Sequence, residues 1–490
     1  MAKRNIFEFE ISALLRVGLL ILLTQFNLAA FALHKTGVKQ LTRMGHEQLE
    51  QGRAEEALQT WQKVTDIYRT EGNSIGVSGS LINQSLALKA LGSHYRACQL
   101  LIEVLKIEDL MCVNGMEFEG EEEKYLNQLT DKKKIENPRE LQIKIIGLNN
   151  LGEILRLTGK PRKSEIILLH ALELGKKFSN SSVTNQILLS LANTERILYK
   201  QARNKYLATS EVLSRAKAES MAESRLERAS KIYTKVIASS KEDINVLKTR
   251  LNQLSLSLEY IRWSKIKNNS AYNLKDQKLQ QYIKQLLFED FEKLPPIESI
   301  YGQINFAKSL IAISKNTELN ENFENIQPLS VALSKSIKAY SKAKRINNKR
   351  AMSQALETIG DISNYQGKII DSKKYLLKAL SLAKSIQAED ITYRLQQKLG
   401  KLYQKTNSIK SAEKMYLGAI NSLDKLRNSI MSTNPEFQFS FKDKVEPVYR
   451  EYMELLLSQA SPNFSQVIKT YDNLKLAELE NFLQCGKLNT

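Results

Sequence analysis

Five stretches of the chain repeat one arrangement of small, apolar and polar positions. A small residue is followed seven positions later by glycine or asparagine, and five positions after that by another small residue. The sets are Gly45, Gly52 and Ala57; Ser85, Gly92 and Ala97; Gly152, Gly159 and Ser164; Gly360, Gly367 and Ser372; and Gly400, Asn407 and Ala412. Four residues further on stands a large apolar group, namely Trp61, Leu101, Leu168, Leu376 or Tyr416. Three beyond that stand Val64, Val104, Ala171, Ala379 and Ala419. Offsets of four and seven place these residues on one face of a helix. The first small residue lets two helices approach closely. The glycine, or Asn407, takes the left-handed backbone that ends the first helix. The third position packs back where a second helix begins. Each stretch is therefore expected to be a helix–turn–helix hairpin whose apolar face stacks on its neighbours.

The distance from Gly45 to Ser85 is forty residues, and so are those from Gly152 to Ala192 and from Gly360 to Gly400. This resembles the tetratricopeptide repeat, lengthened from its usual span of about 34 residues. The expected fold class is all-α, a right-handed superhelical solenoid of hairpins. Between Ala192 and Gly360 the period blurs. There Leu251–Trp263 and Ile300–Ile313 read as first helices of degenerate repeats, separated by helical inserts such as Asn204–Ala229. The expected organisation is a leader over 1–32, three repeats over 36–180 with an acidic insert at 114–138, and degenerate repeats over 181–345. Two regular repeats over 346–432 and a helical segment over 433–490 complete it. That makes seven or so hairpins.

Composition supports this layout. The 490 residues exceed one compact core, 42% are hydrophobic and 26% charged, and only eight are proline. The three cysteines cannot form a disulfide framework. Cys98 and Cys112 can pair if the chain is exported; a buried free thiol is the ordinary alternative for Cys98. The net charge is +19, and Lys335–Arg350 holds seven cations and no acid. Only Tyr340 interrupts that run, so base stacking has no platform and no nucleic acid is expected. A lysine-rich solvated surface accounts for the charge. No cysteine–histidine spacing points to a metal, and no glycine-rich phosphate loop points to a nucleotide. His94 and Cys98, four apart, make a poor metal site alone. Glu121–Glu123 lie on a polar insert with no apolar pocket to tune them. No catalytic residue, metal or cofactor is expected.

At the start of the chain, Lys3 and Arg4 precede an apolar run from Val17 to Phe31, and Ala30-Phe31-Ala32 has the small-x-small form of a cleavage site. A signal peptide over 1–32 is expected, with export to a periplasmic or extracellular location. An uncleaved anchor through 17–33 is the alternative, and the only membrane contact expected.

First helices of such arrays line a concave groove. In repeats three and four that face is expected to carry Asn149, Glu153, Arg156, Asn193 and Arg196, whose amide and charged groups suit peptide backbone and carboxylates. The expected partner is a protein or peptide held in the groove. The residues do not match the lysine-rich carboxylate clamp of chaperone-binding arrays. Several stretches carry a more specific likeness: "LLSLANTER", "LNQLSLSLEYIRW", "LPPIESIYGQINFAKSL", "LAKSIQAEDITYRLQQKLGKLY", "NPEFQFSFKDKVEPVYREYMELLL" and "NLKLAELENFLQC". Together they resemble the amino-terminal, tetratricopeptide half of bacterial CHAT-domain proteins, in which a caspase-like cysteine protease domain follows. The resemblance implies a scaffold or regulatory role. The protease domain is expected to be absent, and Cys485 to be a bridging-helix residue and no nucleophile. A separately made protease domain, or self-association through 436–490, is then the expected partnership of the carboxyl end. Two alternatives stand beside this reading: a fragment of an active protease, and a basic nucleic-acid or envelope-surface binder.

Overall fold

The computed structural model describes residues 37–107, 112, 137–177, 181–239, 244–267, 277–430 and 441–483. The leader and most of the acidic insert lie outside the described residues.

Nine helical hairpins follow one another along these residues. Hairpin one pairs α1 (37–50) with α2 (Ala54–Thr70), and hairpin two pairs α3 (Ser74–Ala90) with α4 (His94–Leu105). Hairpin three is α5 (Pro138–Leu157) and α6 (Pro161–Lys177), and hairpin four is α7 (Ser181–Ala208) and α8 (Val212–Ser239). Hairpin five is α9 (Ile244–Ile266) and α10 (Gln277–Phe288). Hairpin six joins α11 (Pro296–Ser314) to α13 (Pro328–Arg345) through the short α12 (Thr317–Asn322). Hairpins seven and eight are α14 (Lys349–Tyr365) with α15 (Ile369–Ser385), and α16 (Glu389–Lys405) with α17 (Ile409–Ile430). The ninth is α18 (Glu446–Leu457) with α19 (Phe464–Leu483). Among the described residues there is no strand, and the whole is an all-α solenoid of stacked hairpins.

The spacing of small residues has a direct geometric counterpart. Gly52, Gly92, Gly159, Gly367 and Asn407 all take left-handed backbone, with φ of 78°, 79°, 84°, 75° and 53°. Each sits in the turn between the two helices of a hairpin. The first small residue lies under the large one of the second helix. A Cβ at Gly152 would stand 2.5 Å from Leu168 Cγ, at Gly360 2.8 Å from Leu376, and at Gly400 2.9 Å from the Tyr416 ring. At Gly45 it would overlap the Trp61 indole. The third position closes the hairpin. Ser164 donates to the Gly152 carbonyl at 2.7 Å and Ser372 to that of Gly360 at 2.9 Å, while Ala57, Ala97 and Ala412 are fully buried. The helices that open hairpins two and seven are capped by Asn73 and Asn348, whose side chains accept from the backbone of Gly76 and Ala351.

The middle of the chain departs from the expected layout. Asn204–Ala229 is no insert: it is the end of α7, the turn and most of α8. These two helices are 28 residues each. Their length moves the turn away from the small-glycine-small register, which is why the repeat is faint there and the hairpin total is higher than the spacing predicts. The extra length is filled with aromatic bulk, Trp263 of α9 meeting Tyr199 edge-on at 5.7 Å and Tyr206 at 6.2 Å. Leu251–Trp263 and Ile300–Ile313 fall within α9 and α11, the first helices of hairpins five and six.

The carboxyl-terminal segment is a further hairpin docked on the eighth. Val448, Tyr452, Leu455 and Leu456 are buried, in one cluster with Tyr416 and Leu423 of α17. At the other end Cys98 and Cys112 are joined by a disulfide, so the free-thiol alternative does not hold and the Cys98 sulfur is not available to a metal with His94. Among the described residues no helix is long and apolar enough to cross a membrane, and no cluster of three or more metal-ligating side chains is found.

The solenoid also returns on itself. A Cβ on Gly52, in the turn of hairpin one, would meet Asn348 and Ile297 at 2.6 and 2.7 Å. Between these parts lies a cavity of about 840 Å³ walled by Leu49, Leu86 and Leu91 on one side and Tyr301 and Ile386 on the other. Hairpin four approaches hairpin nine in the same way, Asn204 and Leu207 facing Pro447 and Arg450 across about 400 Å³.

Candidate peptide groove

The first helices α5, α7, α9 and α11 line a cavity of about 390 Å³. Its floor is apolar, from Leu189, Leu247, Leu251 and Ile297. Its walls carry Glu153, Gln186, Asn193, Asn252, Lys248 and Asn305. An apolar floor with a few placed polar groups is the usual make-up of a binding cleft.

Asn193 is held in a defined orientation. Its amide oxygen accepts from the Tyr233 hydroxyl at 2.8 Å and from the Asn252 amide at 2.9 Å. Burial pushes the Tyr233 hydroxyl up to about 12, so it stays a protonated donor. With the Asn193 oxygen doubly occupied, its NH₂ is left to donate, and the Asn252 oxygen is left to accept. A neighbouring donor and acceptor match the C=O and N–H of a peptide backbone.

Around this pair and along the array runs a ladder of charges that ties several hairpins to the next. Lys89 of α3 donates to Glu153 of α5 at 2.5 Å, and Ser190 of α7 donates to the same carboxylate at 2.9 Å. Burial alone would raise the Glu153 pKa, but Lys89, with Arg156 and the Ser190 hydroxyl, brings it down to about 2. Arg196 and Lys200 of α7 hold Glu259 of α9 at 2.6 and 3.1 Å. Against the cost of burial, these two cations bring Glu259 to about 2 as well. Further along, Glu357 of α14 is buried between Lys398 at 2.8 Å and Arg394 at 3.3 Å of α16. Burial opposes its ionisation, and Lys398 and Arg394 overcome this and hold it far below the usual carboxylate range. Glu451 of α18 continues the ladder, taking Lys401 at 2.7 Å and Gln397 at 2.9 Å. Glu153, Glu259 and Glu357 are held ionised by fixed cations, which is the reverse of what a general acid at neutral pH requires.

The five residues singled out from the sequence take different places. Glu153 and Asn193 line the cavity. Arg196 is engaged by Glu259. Arg156 is half-buried near Glu153, and Asn149 is buried, 2% exposed, within hairpin three. The sequence reading did not reach Asn252, Tyr233, Glu259, Glu357 or Lys398. Asn252 and Glu259 stand in "LNQLSLSLEYIRW", already recognised as a first helix, so its polar face was the available signal.

No family model matches the sequence, and no curated protein matches it. Solved structures are similar in the course of their helices. The Rap protein complexed with competence and sporulation factor overlays 92% of this chain and 99% of its own, at 10% identity and a TM-score of 0.40. A STAND signal-transduction ATPase with a tetratricopeptide repeat sensor, from Pyrococcus horikoshii, overlays 87% of this chain and 66% of its own, at 14% identity and a TM-score of 0.38. The P58(IPK) TPR domain overlays 90% and 99%, at 11% identity and a TM-score of 0.22.

Proposed function

We propose that this protein is a non-catalytic scaffold of the tetratricopeptide type that holds an extended segment of a partner protein along its inner face. The observation that carries this reading is the Asn193–Asn252 pair, a donor and an acceptor fixed side by side above an apolar floor. Backbone is recognised by the amides, and the floor receives apolar side chains of the bound segment. The charge ladder keeps the wall rigid, which lowers the ordering cost of binding. The stretches that resemble CHAT-domain proteins favour a partnership with a caspase-like protease, for which the array serves as scaffold or regulator. The leader-like start and the Cys98–Cys112 disulfide favour an exported protein, since disulfides persist in oxidising compartments.

The test is capture of peptides from an unstructured peptide library, read by fluorescence polarisation, with wild type compared with Asn193→Ala and Asn252→Ala. Wild type is expected to bind a subset of sequences, and each variant to lose roughly tenfold, the worth of one or two backbone hydrogen bonds. Equal binding by wild type and both variants would remove the groove from consideration.

A further inference from the structure

Away from the groove, the second helices of hairpins six, seven and eight form an outer face of unusual composition. α13, α15 and α17 carry thirteen cations against three acids, Asp371, Glu413 and Asp424. On the inner wall, cations such as Lys89, Arg196 and Lys398 have carboxylate partners. On the outer face Lys338, Lys344, Lys374, Lys378, Lys410 and Lys414 are exposed and make no ion pair among the described residues. Aliphatic side chains stand among them. Ile337, Leu377 and Leu417 occupy the same register position of the three successive helices and are 48%, 43% and 42% exposed. Lys374 and Lys414 lie three positions before the aliphatic residue and so beside it on the helix surface, while Lys338 and Lys378, one position beyond it, stand at the edge of the same exposed strip.

We propose that this outer face of hairpins six to eight binds an anionic lipid bilayer surface. The exposed lysines supply attraction to anionic headgroups, and the row of aliphatic side chains enters the headgroup boundary, where an apolar group gains by leaving water. Both halves of the pattern are needed at such an interface. A nucleic-acid backbone would use the lysines and leave Ile337, Leu377 and Leu417 in water. Bases would need open aromatic faces, and the Tyr340 ring is already covered by the Lys378 ammonium at 5.4 Å. Such a face is a membrane contact separate from the leader, and it gives the envelope-surface alternative raised by the basic charge a specific location.

The experiment is flotation of the full chain with phosphatidylcholine vesicles and with an equimolar mixture of phosphatidylcholine and phosphatidylglycerol, over a range of salt. Wild type is expected to float more with the anionic vesicles and to be released as salt rises. Lys338→Glu, Lys374→Glu and Lys414→Glu combined should lose roughly tenfold or more in binding. Ile337→Ser, Leu377→Ser and Leu417→Ser combined should still bind at low salt and detach at lower salt than wild type. The apolar stretch 17–33 is present in every protein, so the differences read the outer face alone. All the substituted side chains are exposed, and unchanged helical circular dichroism checks folding. Equal flotation with both vesicle types, or by wild type and the charge-reversed variant, overturns the proposal. So does tighter binding of duplex DNA or polyglutamate than of vesicles, lost in the same variants, which would give the face to that class of partner.

Discussion

Lys398 reaches from α16 to two carboxylates of α14, Glu357 at 2.8 Å and Asp361 at 2.6 Å, so one ammonium ties hairpin eight to hairpin seven. The Glu357 side chain is only 3% exposed, and Arg394 closes its other side. Replacing Glu357 by Gln leaves Arg394 without this carboxylate and Lys398 with Asp361 alone, two partly buried cations sharing too little counter-charge. A loss of about 3 kcal/mol is expected, in the range for breaking one side of a buried pair. Urea unfolding measures it; stability within a few tenths of wild type would show that solvent screens the cluster.

The ladder makes stability depend on pH in a defined direction. The folded-state pKa values of Glu153 and Glu259 are near 2, below the unfolded value of about 4.3. A depressed carboxylate contributes stability that is present above the unfolded pKa and lost as pH falls through the folded one. Stability should therefore decline from about pH 5 toward pH 2, by on the order of 2–3 kcal/mol per site. Glu153→Gln with Glu259→Gln should flatten the urea midpoint between neutral pH and pH 3. Parallel profiles for wild type and the double variant would contradict the assignment.

Close approach at Gly152 is tested by the smallest possible addition. Gly152→Ala places a methyl 2.5 Å from Leu168 Cγ and should cost about 1–3 kcal/mol through overpacking. Leu168→Ala alone should also destabilise, by opening a cavity. Combined, the two should be less harmful than their sum, because the new methyl occupies part of the space vacated. Additive losses in thermal unfolding would show that the two residues do not share that space.

Tyr233→Phe removes the hydroxyl that orients Asn193 and little else. The fold should lose about 1 kcal/mol. Peptide capture should fall by more than this stability change accounts for, because Asn193 is then free to rotate. Retained affinity would mean that Asn252 alone positions the amide.

The Cys98–Cys112 disulfide should appear as a linked peptide pair in a non-reducing digest. Reduction should increase hydrogen exchange in α4 and leave α17, which lies beyond the hairpins that hairpin one supports, unchanged, since hairpins two and eight do not share a core. Free thiols at both positions in protein isolated under alkylating conditions would argue against the pairing.

Much of the fold was legible because its turns carry a strict local requirement. A left-handed residue between two helices selects glycine or asparagine, and a crowded helix crossing selects a small residue seven positions earlier. Those demands lie within one hairpin and leave a spacing in the sequence. Hairpin four escaped because its long helices met no such demand at the usual place, and Trp263, Tyr199 and Tyr206 fill the room instead. The groove was less legible for a different reason. Asn149, Glu153 and Arg156 share one helical stripe, yet Glu153 faces the cavity while Asn149 is buried. Which part of a stripe stays open is set by the rotation from one hairpin to the next. That rotation arises from contacts such as Arg196 with Glu259, between residues 63 apart.

Gly52 against Ile297 and Asn348 gives this solenoid something a simple stack of hairpins lacks, a contact spanning more than half of its described length. In an open array, stability is a sum over adjacent pairs, and either end frays without consequence for the middle. Here one end of that sum is linked to its middle. Loss of hairpin one withdraws support from hairpins six and seven, so melting of the amino-terminal repeats and of the centre is coupled into one cooperative step. The same link slows folding, because a loop of more than two hundred residues must close before its reward is collected. A repeat protein built this way folds and fails more like a single globular domain than like a chain of independent beads.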